Sequence, residues 1–293
     1  MGDQGPVPGT GRLNGAIRQI VSGGAAFASF CAMEPASAQR VAHGPADVAV
    51  FDLEHGPFDP AGMRHALQYL LDRRLIAERG DLSPTVTPFV RIAANGAEQS
   101  QWMVKQALDA GAYGVIYPHI ATVEQARRAV AAARYPRSGN AVGARRGVRG
   151  FGPSNAARYW GLTPRAYYER AEAWPLSPAA ELLVVVMCET ADAVGALLEI
   201  LEVGGIGAVL VGLADLALDL GTLDVTAAEV EDLVATVAHH CRRAGVPYGV
   251  TGVGPDTVAT RLEQGFRLIV LEPATAAETT CRGREWLELR RRQ

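Results

Sequence analysis

Short apolar runs alternate with longer segments in which apolar residues recur every three or four positions, from the first third of the chain to its end. The runs are AAFASFCAM, DVAVFDLE, TPFVRIA, YGVIYPHI, ELLVVVMCE, GAVLVGLAD, VPYGVT and RLIVLEP. Between them lie PAGMRHALQYLLDRRLIAE, GAEQSQWMVKQALDAG, TVEQARRAVAAARY, TADAVGALLEILEVGG, TAAEVEDLVATVAHHCRRAG and PDTVATRLEQG, several closing on a glycine that stops a helix. Only the first connection, EPASAQRVAHG, is short. This rhythm predicts parallel βα units rather than a sandwich or a bundle. Eight units predict a closed (β/α)8 TIM barrel, α/β in class, with a doubly wound open sheet as the alternative. No G-x-G-x-x-G opens a helix after the first strand, which counts against the open sheet. Trp286, Leu287 and Leu289 at helical spacing predict an extra C-terminal helix.

Two stretches fall outside the rhythm. Residues 1–12, rich in glycine and proline, read as a flexible N-terminal tail on a single domain spanning 13–293. From about 136 to 178 the pattern gives way to PRSGNAVGARRGVRGFGPSNAARYWG and YYERAEAWPLSP. Long insertions of this kind are commonly functional, and the aromatic content predicts an ordered lid.

Composition narrows the function. With 48% apolar residues the chain can bury a large core, and a net charge of -3 supplies no basic field for nucleic acid or an anionic membrane. A small-molecule ligand is expected instead. No apolar run is long enough to serve as a signal peptide or to span a bilayer, and Cys31, Cys188, Cys241 and Cys281 lack metal-ligand spacing. A cytoplasmic protein with buried reduced thiols is the expectation. Lys105 is the only lysine.

In a barrel the C-terminal ends of the strands share one face, and the chemistry-bearing residues collect there. The second run ends in Asp52, Glu54 and His55, the third in Arg91, the fourth in His119, the fifth in Glu189, the sixth in Asp215 and the eighth in Glu272. Glu189 and Asp215, on adjacent strand ends, suit one hard divalent cation, although each could equally cap the helix that follows. Backbone amides from Gly212 to Asp215 could cradle a carboxylate. Arg91 could hold a carboxylate or enolate oxygen with two parallel bonds, or form a structural ion pair. His55 beside Asp52 suits a base whose ring a carboxylate orients. His119 reads more as a packing histidine, and His65, His239 and His240 as solvated or capping residues.

The ordered set FDLEHGPFD, VRIA, KQALDAGAYGVIYPHI, RYP with GVRGFG, MCET and VLVGLADLALDLG resembles the HpcH/HpaI aldolase family, also described as 2,4-dihydroxyhept-2-ene-1,7-dioate or 2-dehydro-3-deoxyglucarate aldolases. The resemblance implies a class II aldolase on a barrel of the phosphoenolpyruvate/pyruvate type, assembled as a homo-oligomer, a hexamer made as a trimer of dimers that exchange their last helix. It implies Mg²⁺, Mn²⁺ or Co²⁺ on Glu189 and Asp215, Arg91 on the pyruvate enolate oxygen, and proton handling by His55 with Asp52. The amides of Ala214 and Asp215 would take the pyruvate carboxylate. Asp109 resembles an aspartate that reaches a neighbouring subunit's site, and Arg149 lies in the matching GVRGFG. Met187 stands where family members commonly carry glutamine, and Leu213 where proline often precedes the Ala-Asp pair; neither removes a metal ligand, but Met187 removes a polar group near the substrate, so the resemblance does not carry over the usual acceptor aldehyde.

The activity this implies is reversible cleavage of a 4-hydroxy-2-oxo acid to pyruvate, or a similar 2-oxo acid, and an aldehyde through a metal-stabilised enolate. Schiff-base chemistry is disfavoured because Lys105 sits within a helix pattern rather than at a strand end. The alternatives are a citrate-lyase-like or oxaloacetate-decarboxylating enzyme that uses the same enolate in specialised biosynthesis, and a barrel serving only as an assembly subunit.

Overall fold

A computed structural model describes residues 11–93, 100–137 and 143–292; most of the expected tail, at 1–10, lies outside them. Among the described residues nine strands form one parallel sheet: β1 (Ala26–Cys31), β2 (Val48–Asp52), β3 (Thr87–Arg91), β4 (Gly114–Tyr117), β5 (Ala173–Trp174), β6 (Leu182–Cys188), β7 (Ala208–Val211), β8 (Tyr248–Val253) and β9 (Leu268–Leu271). Pairing runs β4-β3-β2-β1-β9-β8-β7-β6, and β4 closes the ring on β6. The two-residue β5 hangs on β6 outside the ring, so the barrel has the eight strands that the apolar runs predict.

The strands are apolar on both sides because the interior and the helical layer are both dry. Phe27, Phe51 and Phe89 are buried, and Gly114 leaves its side open because a Cβ there would run into the Phe89 ring. The short connection after β1 is long enough for a helix, Pro35–Ala42, with proline in its first turn. The segment after β2 makes two helices, Pro60–Gln68 and Arg73–Arg79, since Asp72 caps the second by accepting from the amides of Arg74 and Leu75.

The N-terminal end of the barrel is closed by a helix at Gly15–Val21 that the sequence pattern does not signal. Its Asn14 cap donates to the carbonyls of Tyr113 and Glu181, which precede β4 and β6, while the Gly15 amide donates to Thr87 Oγ1 at the start of β3. Seven residues with little periodicity gain their helix from these tertiary bonds.

The segment from 136 to 178 is largely ordered, with helices at Ser154–Tyr159 and Pro164–Arg170; residues 138–142 lie outside the described part. It packs at the N-terminal end, opposite the strand ends expected to carry the chemistry. Trp160 stacks on Tyr113 at 4.1 Å and donates to the Gly111 carbonyl, and Arg134 forms a bidentate pair with Glu172. As a lid over this chain's own strand-end cluster it is misplaced, because both of its ends join the chain at the bottom of the barrel.

The final helix, Ala276–Arg291, lies on its own barrel, with Gly283 against Phe27 and Val258, and Arg284 bonded to Asp47 at 3.0 Å. Trp286 and Leu287 are partly buried there, whereas Leu289 faces outward. Three of the cysteines are buried thiols and Cys281 is exposed. Among the described residues no helix is long and apolar enough to cross a membrane.

Candidate active site

The upper rim gathers side chains from β2, β3, β4 and β6 into one charged cluster. Asp52 ends β2 beside Arg91, which ends β3, because the two are in register. Arg91 donates from Nε and Nη2 to the two oxygens of Asp52 at 3.0 and 2.7 Å, and its Nη1 lies 3.2 Å from Glu54. The face of the guanidinium rests on Phe30 at 4.8 Å. Two of its five N–H groups are thus hydrogen-bonded to Asp52 and Nη1 faces Glu54 as an ion pair, which leaves donor capacity for a substrate oxygen. Burial pushes the Asp52 carboxyl up, but the bonds and charge of Arg91 outweigh this and hold it below the usual aspartate range.

Glu54, expected only as a minor contributor, is the hub. Its carboxylate faces Arg91, lies 3.8 Å from His55 Nε2 and 3.7 Å from His119 Nε2, and is largely buried. Burial raises its pKa, with the neighbouring cations pulling the other way. The carboxylate beside the His55 ring is therefore Glu54 rather than Asp52, because Asp52 is taken by Arg91 and otherwise accepts the backbone amides of Glu54 and His55. The two-residue spacing along the chain brings Glu54 back over the same rim. His119 is exposed rather than packed in the core, and its Nδ1 lies 3.8 Å from Glu189.

Glu189 follows β6 and is 1% exposed. Its Oε2 accepts the His119 amide at 2.8 Å. Gly212, which follows β7, passes so close that a Cβ would overlap its carboxylate. Burial pushes the Glu189 pKa up to about 7, and the charges of Asp215 and Glu54 add to the rise against the opposing His119 amide. Asp215 stands half-buried in the first turn of the helix Leu213–Asp219, whose leading amide, that of Leu213, donates to Thr251 of β8 at 3.1 Å. Ala214 is exposed beside it. Met187 is buried one inward position below Glu189 and presents no polar atom there.

Asp109 and Arg149 are absent from this cluster. They bond to each other at 2.7 Å at the opposite end of the barrel, with Arg149 buried between the rings of Tyr135 and Tyr167. Glu272 is exposed, near the Thr275 hydroxyl, and takes no part. Phe30 and Thr251 escaped the sequence reading, since neither a phenyl beneath a guanidinium nor a hydroxyl under a helix start leaves a local signature.

The donor set fits a hard divalent cation. Asp52, Glu54, Glu189 and Asp215 outnumber the one guanidinium, and two of these carboxylates, Glu189 and Asp215, interact across the β6–β7 strand ends. Among the described residues no group of three or more His, Cys, Asp or Glu is placed to hold a metal ion by itself, so a cation here would rest on the two carboxylates alone. Two carboxylates with remaining positions open to water and substrate match Mg²⁺ or Mn²⁺.

A closed parallel barrel with acids, a guanidinium and imidazoles at its strand ends is the arrangement of a barrel enzyme, and the similar chains are named aldolases, which are carbon–carbon lyases. The chain belongs to the HpcH/HpaI aldolase/citrate lyase family, whose pattern matches residues 30–271. It is 33% identical to a hydroxypyruvate/pyruvate aldolase of Sagittula stellata, over 82% of this chain and 84% of that one. A 2-keto-3-deoxy-L-rhamnonate aldolase of Escherichia coli is 32% identical, over 77% and 73% of the two chains. A solved HpcH/HpaI aldolase/citrate lyase family protein from Burkholderia cenocepacia superposes with a TM-score of 0.69 at 27% identity, over 96% of this chain and all of that one.

Proposed function

We propose that the protein is a divalent-metal-dependent class II aldolase that reversibly cleaves a 4-hydroxy-2-oxo acid to pyruvate, or a similar 2-oxo acid, and an aldehyde. The observation that carries this reading is Glu189, a buried carboxylate pressed against Gly212 and interacting with Asp215, next to Arg91. Aldolases among the similar chains support the reaction class.

Glu189 and Asp215 would hold the cation, which when bound supplies Lewis-acid stabilisation of negative charge on the 2-oxo oxygen. The remaining N–H groups of Arg91 would bind that oxygen as charge develops, and Asp52 would keep the guanidinium aimed. The amides of Ala214 and Asp215 would orient the substrate carboxylate. The bond between C3 and C4 breaks, its electron pair passing toward C3 and the 2-oxo oxygen, while the C4 hydroxyl loses its proton to His55. C4 leaves as the aldehyde, and C3 takes up one proton to complete the methyl group. Glu54, between His55 and His119, would orient both rings and move a proton between them. The chain would act as a homo-oligomer on small-molecule substrates, and Asp109 would reach a neighbouring subunit's site, as the family resemblance implies.

Solvent deuterium exchange at the pyruvate methyl group tests the reading without requiring the correct aldehyde. Exchange is expected with Mg²⁺, Mn²⁺ or Co²⁺ and its loss in a chelator or in Glu189→Gln; full exchange in the chelator would overturn the metal assignment.

A further inference from the structure

A cavity of about 430 Å³ opens beside the charged cluster, with Asp52 and His55 on its inner wall. The chain after β1 supplies Phe30, Met33 and Glu34, and the turn after β2 supplies Pro57 and Asp59. Its surface is mostly apolar, and besides Asp52 its charged lining groups, Glu34 and Asp59, are both acidic. No lysine or arginine lines it among the described residues. The Arg91 guanidinium rests on Phe30 of the cavity wall and is held by Asp52 and Glu54. Asp59 is fixed as a cap, its carboxylate accepting the amides of Ala61 and Gly62, whereas the exposed Glu34 caps nothing with its side chain.

We infer that this cavity receives the aldehyde half of the substrate and selects an uncharged, apolar aldehyde over one ending in a carboxylate or phosphate. The inference rests on the aldolase reading, since His55 would take the hydroxyl proton of the carbon that becomes the aldehyde, and His55 forms the cavity's inner wall. A chain extending from that carbon passes over Phe30, Met33 and Pro57, which bind methylene or aryl groups. An anion at its far end would meet Glu34 and Asp59 with no cation to pair it, and like charge in a partly desolvated cavity selects against binding.

The test uses two aldehydes of equal chain length, butanal and succinic semialdehyde, in aldol addition to pyruvate by the metal-loaded full-length protein. Butanal is expected to show a kcat/KM higher by about tenfold or more. Glu34→Lys is expected to narrow that ratio severalfold by raising the rate with succinic semialdehyde. Equal or reversed preference in the wild type, with deuterium exchange into pyruvate intact, would overturn the inference and leave the aldolase reading standing. An unchanged ratio in Glu34→Lys would likewise overturn it. Absence of exchange in the wild type with every metal would overturn the aldolase reading and this inference together.

Discussion

The backbone amide of His119 donates to Oε2 of Glu189 at 2.8 Å, and His119 holds that amide in place with a positive φ of 52°. Histidine tolerates the left-handed region at a cost of about 1 kcal/mol that glycine does not incur. His119→Gly is therefore expected to be more stable than His119→Ala by about that amount in urea denaturation. Both variants lose the ring, so both should slow pyruvate exchange. If His119→Gly kept the wild-type exchange rate, the ring would have no part in proton transfer.

Gly212 faces the same carboxylate from the other side. A methyl group there overlaps the Glu189 carboxylate and must displace it. Gly212→Ala is expected to weaken divalent-cation binding by about tenfold or more in calorimetry, since a ligand moved by several tenths of an ångström misses the geometry that Mg²⁺ demands. Unchanged affinity would show that Glu189 is not a ligand.

The Asp52–Arg91 pair links stability to pH. The Asp52 pKa is lowered in the fold, so its contribution is complete above the unfolded value near 4 and is lost as pH falls through the folded value. Asp52→Asn is expected to cost about 2 kcal/mol at pH 7, as for a hydrogen bond to a charged group, and progressively less below pH 4. Denaturation midpoints of the two proteins measured from pH 7 to pH 3 should converge on the acid side. A gap that widened there would reverse the sign of the linkage.

Gly283 sets the seat of the final helix. Alanine would gain up to about 1 kcal/mol of helix propensity, but its methyl would strike the Phe27 ring and Val258. Overpacking of a rigid contact costs about 1–3 kcal/mol, so Gly283→Ala is expected to lower stability on balance. A raised melting temperature would mean that the helix can shift away from β1 at little cost.

The barrel was legible because a parallel strand buried on both faces writes itself as an apolar run, and eight such runs with helical patterns between them leave few topologies. The strand ends were legible for the same reason: Asp52, Arg91, Glu189 and Asp215 mark the places where those runs leave the interior. Tertiary structure alone assigned the partners. Glu54 became the neighbour of the His119 imidazole as well as of the adjacent His55 because β2 and β4 flank β3 in the closed ring, a relation that no spacing along the chain expresses. The insertion from 136 to 178 packs at the far end of the barrel because the helix before it runs down from β4, and aromatic content carries no information about which end it covers. Local pattern thus determined which residues could be buried or reactive, whereas ring closure, through contacts between residues tens of positions apart, decided which of them meet.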